Sequence, residues 1–145
     1  LLFIEWFGKD FSMDLIYSSS LHGQDVGEFH KRCDGDSTTL TLIKTDKGRR
    51  FGGFTNLKFS SENKFEKGDG NDFIFSLDKK TMFKNNKNQI YALYNNPNMF
   101  PTFGYPSDIY IHRTCFTSVT ASYSSFPSSY GVGEKIDEPN NTYFA

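Results

Sequence analysis

Hydrophobic spacing changes character partway along the chain. Apolar residues recur at helical intervals in the opening third and alternate with polar ones from about Thr38 onward, so short helices should precede a run of strands. In "WFGKDFSMDLIYSSSLHG", Ser12 stands as an N-cap ahead of Met13, Leu15 and Ile16, predicting a short helix with an apolar side, anchored by Trp6 and Phe7. In "QDVGEFHKRCDGD", Asp25 and Glu28 make a capping box before Val26, Phe29 and Cys33, and Asp34 with Gly35 closes that second helix.

The strand region opens with "TTLTLIKT", turns at "DKG" with Gly48 in the left-handed position, and returns as "RRFGGFTNLKF", a hairpin. "NDFIFSL" places Phe73, Phe75 and Leu77 on one face and Ile74 on the other, the mark of an internal strand. The polar stretch before it and the charged "DKKTMFKNNKNQ" after it read as loops. "IYALYN" and "DIYIH" are further strands on either side of the turn "NPNMFPTFGYPS". "CFTSVTASYSSFPSSYG" begins as one more strand before a Ser-rich loop, and "EKIDEPNN" is polar and rich in breakers. The expectation is a single mainly β (α+β) domain over residues 1–145.

One feature of this pattern demands a reason. Gly52 and Gly53 stand side by side inside a strand, where glycine has no side chain to pack and more backbone freedom to lose.

Composition sharpens the β reading and narrows the partners. At 145 residues the chain can hold one core, and its sixteen Phe and eight Tyr against one Trp favour pleated, half-buried surfaces. A net charge of -1 leaves no excess of lysine and arginine to neutralise a phosphate backbone, which argues against nucleic acid as a partner. No stretch approaches the roughly 20 apolar residues of a membrane span, and no secretory leader opens the chain. These signs predict a soluble, intracellular, cytoplasmic protein, and a start at Leu1 with an end at Ala145 reads as a fragment of a longer chain.

Candidate chemistry is sparse. His30 with Cys33 in "HKRC" and His112 with Cys115 in "HRTC" have a spacing that permits a Cys2His2 zinc site if the fold joins them. Helical periodicity instead makes Cys33 a buried small hydrophobe, and structural cysteines are the preferred reading. Two cysteines leave room for one disulfide at most. The clusters "CDGDS" and "GDGND" lack the ligand spacing of a calcium loop and read as turns. There is no Gly-x-Ser-x-Gly elbow, and Gly52 and Gly53 continue into a strand rather than opening a phosphate-binding helix. No cofactor is implied. A redox or hydrolytic enzyme using Cys33 or Cys115, flanked by Lys31, Arg32 and Arg113, is the alternative from a different class.

The ordered set "LIYSSSLHGQDVGEFHKRCDGDSTTLTLIKTDKGRRFGGFT", "FIFSL", "PTFGYPSDIYI" and "SYSSFPSSYG" resembles a TLDc domain, especially its protist branch, over nearly the whole chain. The most specific blocks are the strand, turn and Phe51-Gly52-Gly53-Phe54 run, and Phe103-Gly104 with the Asp108 to Ile111 run. The resemblance implies a sandwich of two antiparallel sheets with short flanking helices. Within it, Gly52 and Gly53 would admit a close neighbour to a central strand, with or without a bulge, while Phe51 and Phe54 fill opposite faces.

The family has no established reaction. Its members are associated with protection from oxidative stress and with binding the peripheral sector of the vacuolar proton-pumping ATPase. The resemblance therefore implies a non-catalytic interaction domain docking on a large assembly, with that pump as the partner; a structural module in a cytoskeletal or ciliary scaffold is the alternative that a fragment held in a larger particle would fit. Its location would be cytoplasmic, at endomembranes or the cytoskeleton. Exposed loops around Lys79 to Asn88 and Asn95 to Pro106 are the candidate contacts. Two departures stand out: Gly70, Asn71 and Asp72 replace the Gly-Glu pair of animal members, and the sequence ends at Ala145, just before the position of the family's last strand, whose absence would leave an edge open to pairing with another chain.

Overall fold

In the computed structural model, the described residues are 2–8, 10–85, 91–118, 121–132, 134–136 and 143–144. Helical spacing is satisfied first in α1 (Leu2–Phe7), where Phe3, Trp6 and Phe7 share one face. Phe3 meets Phe75 at 5.3 Å between ring centroids, Trp6 meets Phe73 at 6.2 Å and Phe7 meets Phe54 at 4.8 Å. The helix is thus a lid on one face of a sheet.

That face explains why the predicted helix after Ser12 does not form. Trp6 and Phe7 do anchor the N-terminal region, but residues 10–18 carry no helix, and Met13, Leu15 and Ile16 are exposed. An apolar stripe stabilises a short helix only when it has something to bury against, and α1 already covers the sheet. A single turn, α2 (Ser19–His22), follows. α3 (Val26–Cys33) forms as expected, with the Asp25 carboxylate accepting from the backbone N–H of Gly27 at 2.8 Å and of Glu28 at 3.3 Å. The reciprocal arm of the capping box is diverted: the Glu28 carboxylate accepts from Arg32 Nε at 2.7 Å, one helical turn on.

The hairpin forms in register, β1 (Thr39–Lys44) against β2 (Arg50–Thr55), with Gly48 at a φ of 83° in the turn. The remaining strands are β3 (Lys64–Lys67), β4 (Phe73–Ser76), β5 (Thr81–Lys84), β6 (Tyr91–Asn95) and β7 (Thr102–Phe103). Pairing is antiparallel throughout, in a four-stranded sheet ordered β1-β2-β4-β5 and a three-stranded sheet ordered β3-β6-β7. β4 is internal, as its two apolar faces require, and all four of its residues are buried.

Several segments depart from expectation. β3 and β5 occupy stretches read as loops, because Lys64 and Lys84 at their exposed positions mask the half-buried Phe65 and the buried Phe83. β7 lies inside the predicted turn before "DIYIH". That run is not itself a continuous strand: it is held by isolated bridges, Phe103 to Ile109, Tyr110 to Tyr123 and Met99 to His112. The segment from Cys115 begins as a turn, with Cys115 N–H donating to His112 O and Ser118 N–H to Thr114 O. The Lys- and Asn-rich end of the charged loop and most of "EKIDEPNN" lie outside the described residues.

The core between the sheets is mostly aromatic. Phe83, Phe126, Tyr143 and Phe144 cluster together, and Phe144 reaches Phe51 at 5.5 Å, so residues beside the end of the chain close the interior. β2 has no bulge: its register with β1 and β4 is continuous through Gly52 and Gly53.

Candidate functional site

The two His-x-x-Cys stretches approach each other, though not as metal ligands. α3 turns Phe29, His30 and Cys33 inward. His30 Nδ1 lies 2.8 Å from Asp34 Oδ1 and its Nε2 lies 3.0 Å from the carbonyl of Met99, the residue that bridges to His112. Ser61 Oγ donates to the other oxygen of Asp34 at 2.6 Å. His30 thus ties α3 to the loop before β7, with both nitrogens facing oxygen acceptors. His112 Nδ1 is 2.7 Å from Thr114 Oγ1. Among the described residues, no group of three His, Cys, Asp or Glu is placed to hold a metal ion.

The thiols are also poorly prepared as nucleophiles. Burial pushes the Cys33 thiol up to about 12, with Asp36 and Asp34 adding to the rise and Arg32 opposing it. Burial raises Cys115 as well. Reactive cysteines have the opposite shift, in electropositive and partly open surroundings. Both cysteines are free.

Both Asp-Gly clusters include glycines in turn geometry, Gly35 at a φ of 92° and Gly70 at 86°. Asp69 accepts from the Asn71 N–H at 2.8 Å, and the amide holds its carboxyl below the usual range. Asp72 departs from the turn reading. Wholly buried, it accepts from Thr55 Oγ1 at 2.7 Å and from Asn56 N–H at 3.2 Å, joining β2 to the start of β4. Its Oδ2 is unpartnered and faces Gly68, where a Cβ would lie 2.4 Å away.

A second buried carboxylate organises the far end. Asp108 accepts from the backbone N–H of Ser128 at 2.6 Å, Ser129 at 2.9 Å and Tyr130 at 3.5 Å. Burial pushes its carboxyl up to about 7 even though those three donors pull it down. Ser129 Oγ donates to Tyr105 O at 3.0 Å and accepts from Tyr105 N–H at 2.8 Å, so the Tyr105 to Asp108 segment is clamped to the Ser-rich segment. Gly104 is required here: its φ is 86°, and a Cβ would meet Asp108 Oδ2 at 2.0 Å.

The sequence did not identify these two aspartates as buried anchors. The signal was present in each case, an acid at the mouth of a strongly apolar run, "DFIF" and "DIYI". It is also the ordinary appearance of a turn before a strand.

The sequence-predicted contact loops divide differently from expectation. In the stretch from Asn95 to Pro106, Phe100, Thr102 and Phe103 are buried, leaving Pro97, Asn98, Tyr105 and Pro106 exposed. In the stretch from Lys79, β5 takes the middle, residues 86–88 lie outside the described set, and Lys79 Nζ stands 3.9 Å from the Tyr143 ring centroid. The surface missed from sequence is the segment joining α1 to α2, where Met13 is 58% exposed and Leu15 67%, continued by Leu21 of α2 at 71%. Its apolar residues had been accounted for by the helix that does not form. No helix among the described residues is long and apolar enough to cross a membrane.

The glycine pair under an opposing ring and the Gly104-Asp108 clamp lie in the blocks on which the resemblance rested, within two antiparallel sheets flanked by short helices. The family model for the TLDc domain matches residues 2–142, nearly the whole sequence, and the chain belongs to the TLDc domain family.

Proposed function

We propose that this chain is a non-catalytic protein-interaction domain that docks in the cytoplasm on the peripheral sector of the vacuolar proton-pumping ATPase. The observation that carries the reading is the run of exposed apolar side chains, Met13, Leu15 and Ile16 on the segment joining α1 to α2 and Leu21 on α2 itself. Large apolar groups gathered in the open favour contact with another protein. Family membership supplies the partner class, since TLDc relatives bind that sector and are linked to resistance to oxidative stress. The raised thiols of Cys33 and Cys115 support binding over cysteine chemistry as the route to protection.

A second reading, a module in a cytoskeletal or ciliary scaffold, draws on the outer strand β1. It is an end strand of the four-stranded sheet, and Leu42 upon it is 57% exposed. An open edge suits pairing with a strand of a neighbouring chain.

Affinity isolation of the full-length protein from its own cell extract, with quantitative mass spectrometry, separates the readings. Stoichiometric recovery of peripheral pump subunits is expected, reduced by Leu15→Asp with Leu21→Asp. Recovery of scaffold proteins in their place would withdraw the pump for this chain.

A further inference from the structure

A cleft of about 320 Å³ opens on the surface that the Asp108 clamp supports. Phe65, Tyr94, Tyr105, Pro106, Tyr110 and Tyr123 line its walls, with Met99 and Ser107 completing the lining. The volume lies at the lower end of the range for ligand pockets, roughly 300 to 1,000 Å³.

The walls are built in two ridges. On one side Phe65 of β3 stacks on Tyr94 of β6 at 4.2 Å between centroids and 16° between planes, and Tyr105 meets Phe65 edge-on at 4.8 Å. On the other, Tyr110 stacks on Tyr123 at 4.5 Å and 19°, fixed by reciprocal backbone bonds of 2.9 and 3.1 Å between the same two residues. Tyr105 to Ser107 are held by Asp108 and Ser129. The cleft is therefore preformed by stacking, bridges and a buried carboxylate, rather than shaped by free loops.

Its chemistry is selective. No charged side chain lines it. Strand alternation sends Lys64 and Glu66, which pair at 3.2 Å, to the face of β3 opposite Phe65. Tyr94 spends its hydroxyl on Asn63 and Asn96. Among the described residues, the hydroxyls of Tyr105, Tyr110 and Tyr123 have no hydrogen-bond partner. Tyr105 and Tyr123 are each about half exposed, at 54% and 52%.

The site thus offers apolar ring surfaces and unpaired phenolic donors, with no charge of either sign. A free organic cation would find rings but no carboxylate, and would leave the donors idle. A polyproline II segment fits both features, because its rings pack against aromatic ridges and its carbonyls make no internal hydrogen bonds. We propose that this cleft is a binding site for a proline-rich segment of a partner protein in the polyproline II conformation. The inference rests on the interaction-domain reading and adds the chemistry of one contact to it.

The test is titration of the chain with acetylated, amidated decaproline, followed by aromatic NMR signals. A Gly-Ser peptide of equal length and tetramethylammonium serve as comparison ligands. Saturable shifts of the Tyr105, Tyr110 and Tyr123 ring signals with decaproline alone are expected. Tyr123→Ala should weaken binding about tenfold, with its thermal midpoint near that of the parent chain because the ring is half exposed. Tyr110→Phe, which keeps the stack and removes one donor, should weaken it about threefold.

Absence of saturable shifts would overturn the proposal, as would equal shifts with the Gly-Ser peptide. Shifts with tetramethylammonium but not decaproline would overturn it in favour of an organic-cation site. None of these outcomes bears on recovery of pump subunits from extract, so this inference and the docking reading fail separately.

Discussion

The ring of Phe103 occupies the space that a side chain on Gly53 would need: a Cβ there would lie 2.5 Å from Phe103 Cζ. Gly53 is on β2 and Phe103 on β7, so this contact sets how closely the two sheets approach at their centre. Gly52 meets a different neighbour on the opposite face, where a Cβ would lie 1.8 Å from the carbonyl oxygen of Thr41 and 2.9 Å from Phe75 Cζ. The adjacent glycines therefore serve two packing contacts, one between sheets and one beneath α1.

Replacing Gly53 by alanine forces the ring of Phe103 to move within a filled core, which costs about 1–3 kcal/mol. Urea unfolding should show that loss. A double-mutant cycle with Phe103→Leu should return a coupling of about 1 kcal/mol, since the smaller side chain relieves the clash. Gly52→Ala should be worse, because its obstruction is backbone. Independent, additive effects of Gly53→Ala and Phe103→Leu would contradict the contact.

His30 is predicted to anchor α3 rather than to ligate or catalyse. His30→Gln cannot satisfy Asp34 and the Met99 carbonyl together and should cost about 1–3 kcal/mol. Amide exchange should quicken at Phe100, whose N–H donates to Ile111 O at 3.1 Å in the segment that His30 holds. An unchanged exchange pattern would count against the anchor.

The fold was legible wherever one segment's own pattern decided its state. Asp25 announced α3, Gly48 announced the hairpin turn, and the two apolar faces of "FIF" announced an internal strand. It was illegible where a partner decided. Met13, Leu15 and Ile16 have helical spacing but lost their burial surface to Phe3, Trp6 and Phe7. Phe65 and Phe83 hid between lysines in strands of four residues. The site was less legible still: the aromatic cleft gathers side chains from Phe65 to Tyr123 that no local spacing connects.

Asp108 gives stability a pH dependence of definite sign. Its folded-state carboxyl is raised from 3.8 to about 7 by burial, so the folded chain holds the proton more tightly than the unfolded one. Its contribution is fully present below the unfolded value and falls as pH rises towards 7, by at most about 1.4 kcal/mol per pH unit. The stability advantage of the parent chain over Asp108→Asn should accordingly shrink between pH 5 and pH 8. An advantage that grows over that range would reverse the sign and refute the burial argument.

Thiol labelling distinguishes a packing role from a reactive one. With the Cys33 thiol raised to about 12 and Cys115 raised by burial, iodoacetamide at pH 7 should modify Cys33 only on unfolding and Cys115 slowly. Rapid labelling of either in the folded chain would revive the cysteine-dependent enzyme.

The most direct test of the docking reading is cosedimentation of the purified chain with the purified peripheral sector of the vacuolar proton-pumping ATPase. A stoichiometric complex is predicted, weakened at least tenfold by Leu15→Asp with Leu21→Asp, two exposed positions whose replacement spares the core. A chain that stays in the supernatant with the sector present, at concentrations where it remains folded, would contradict the account.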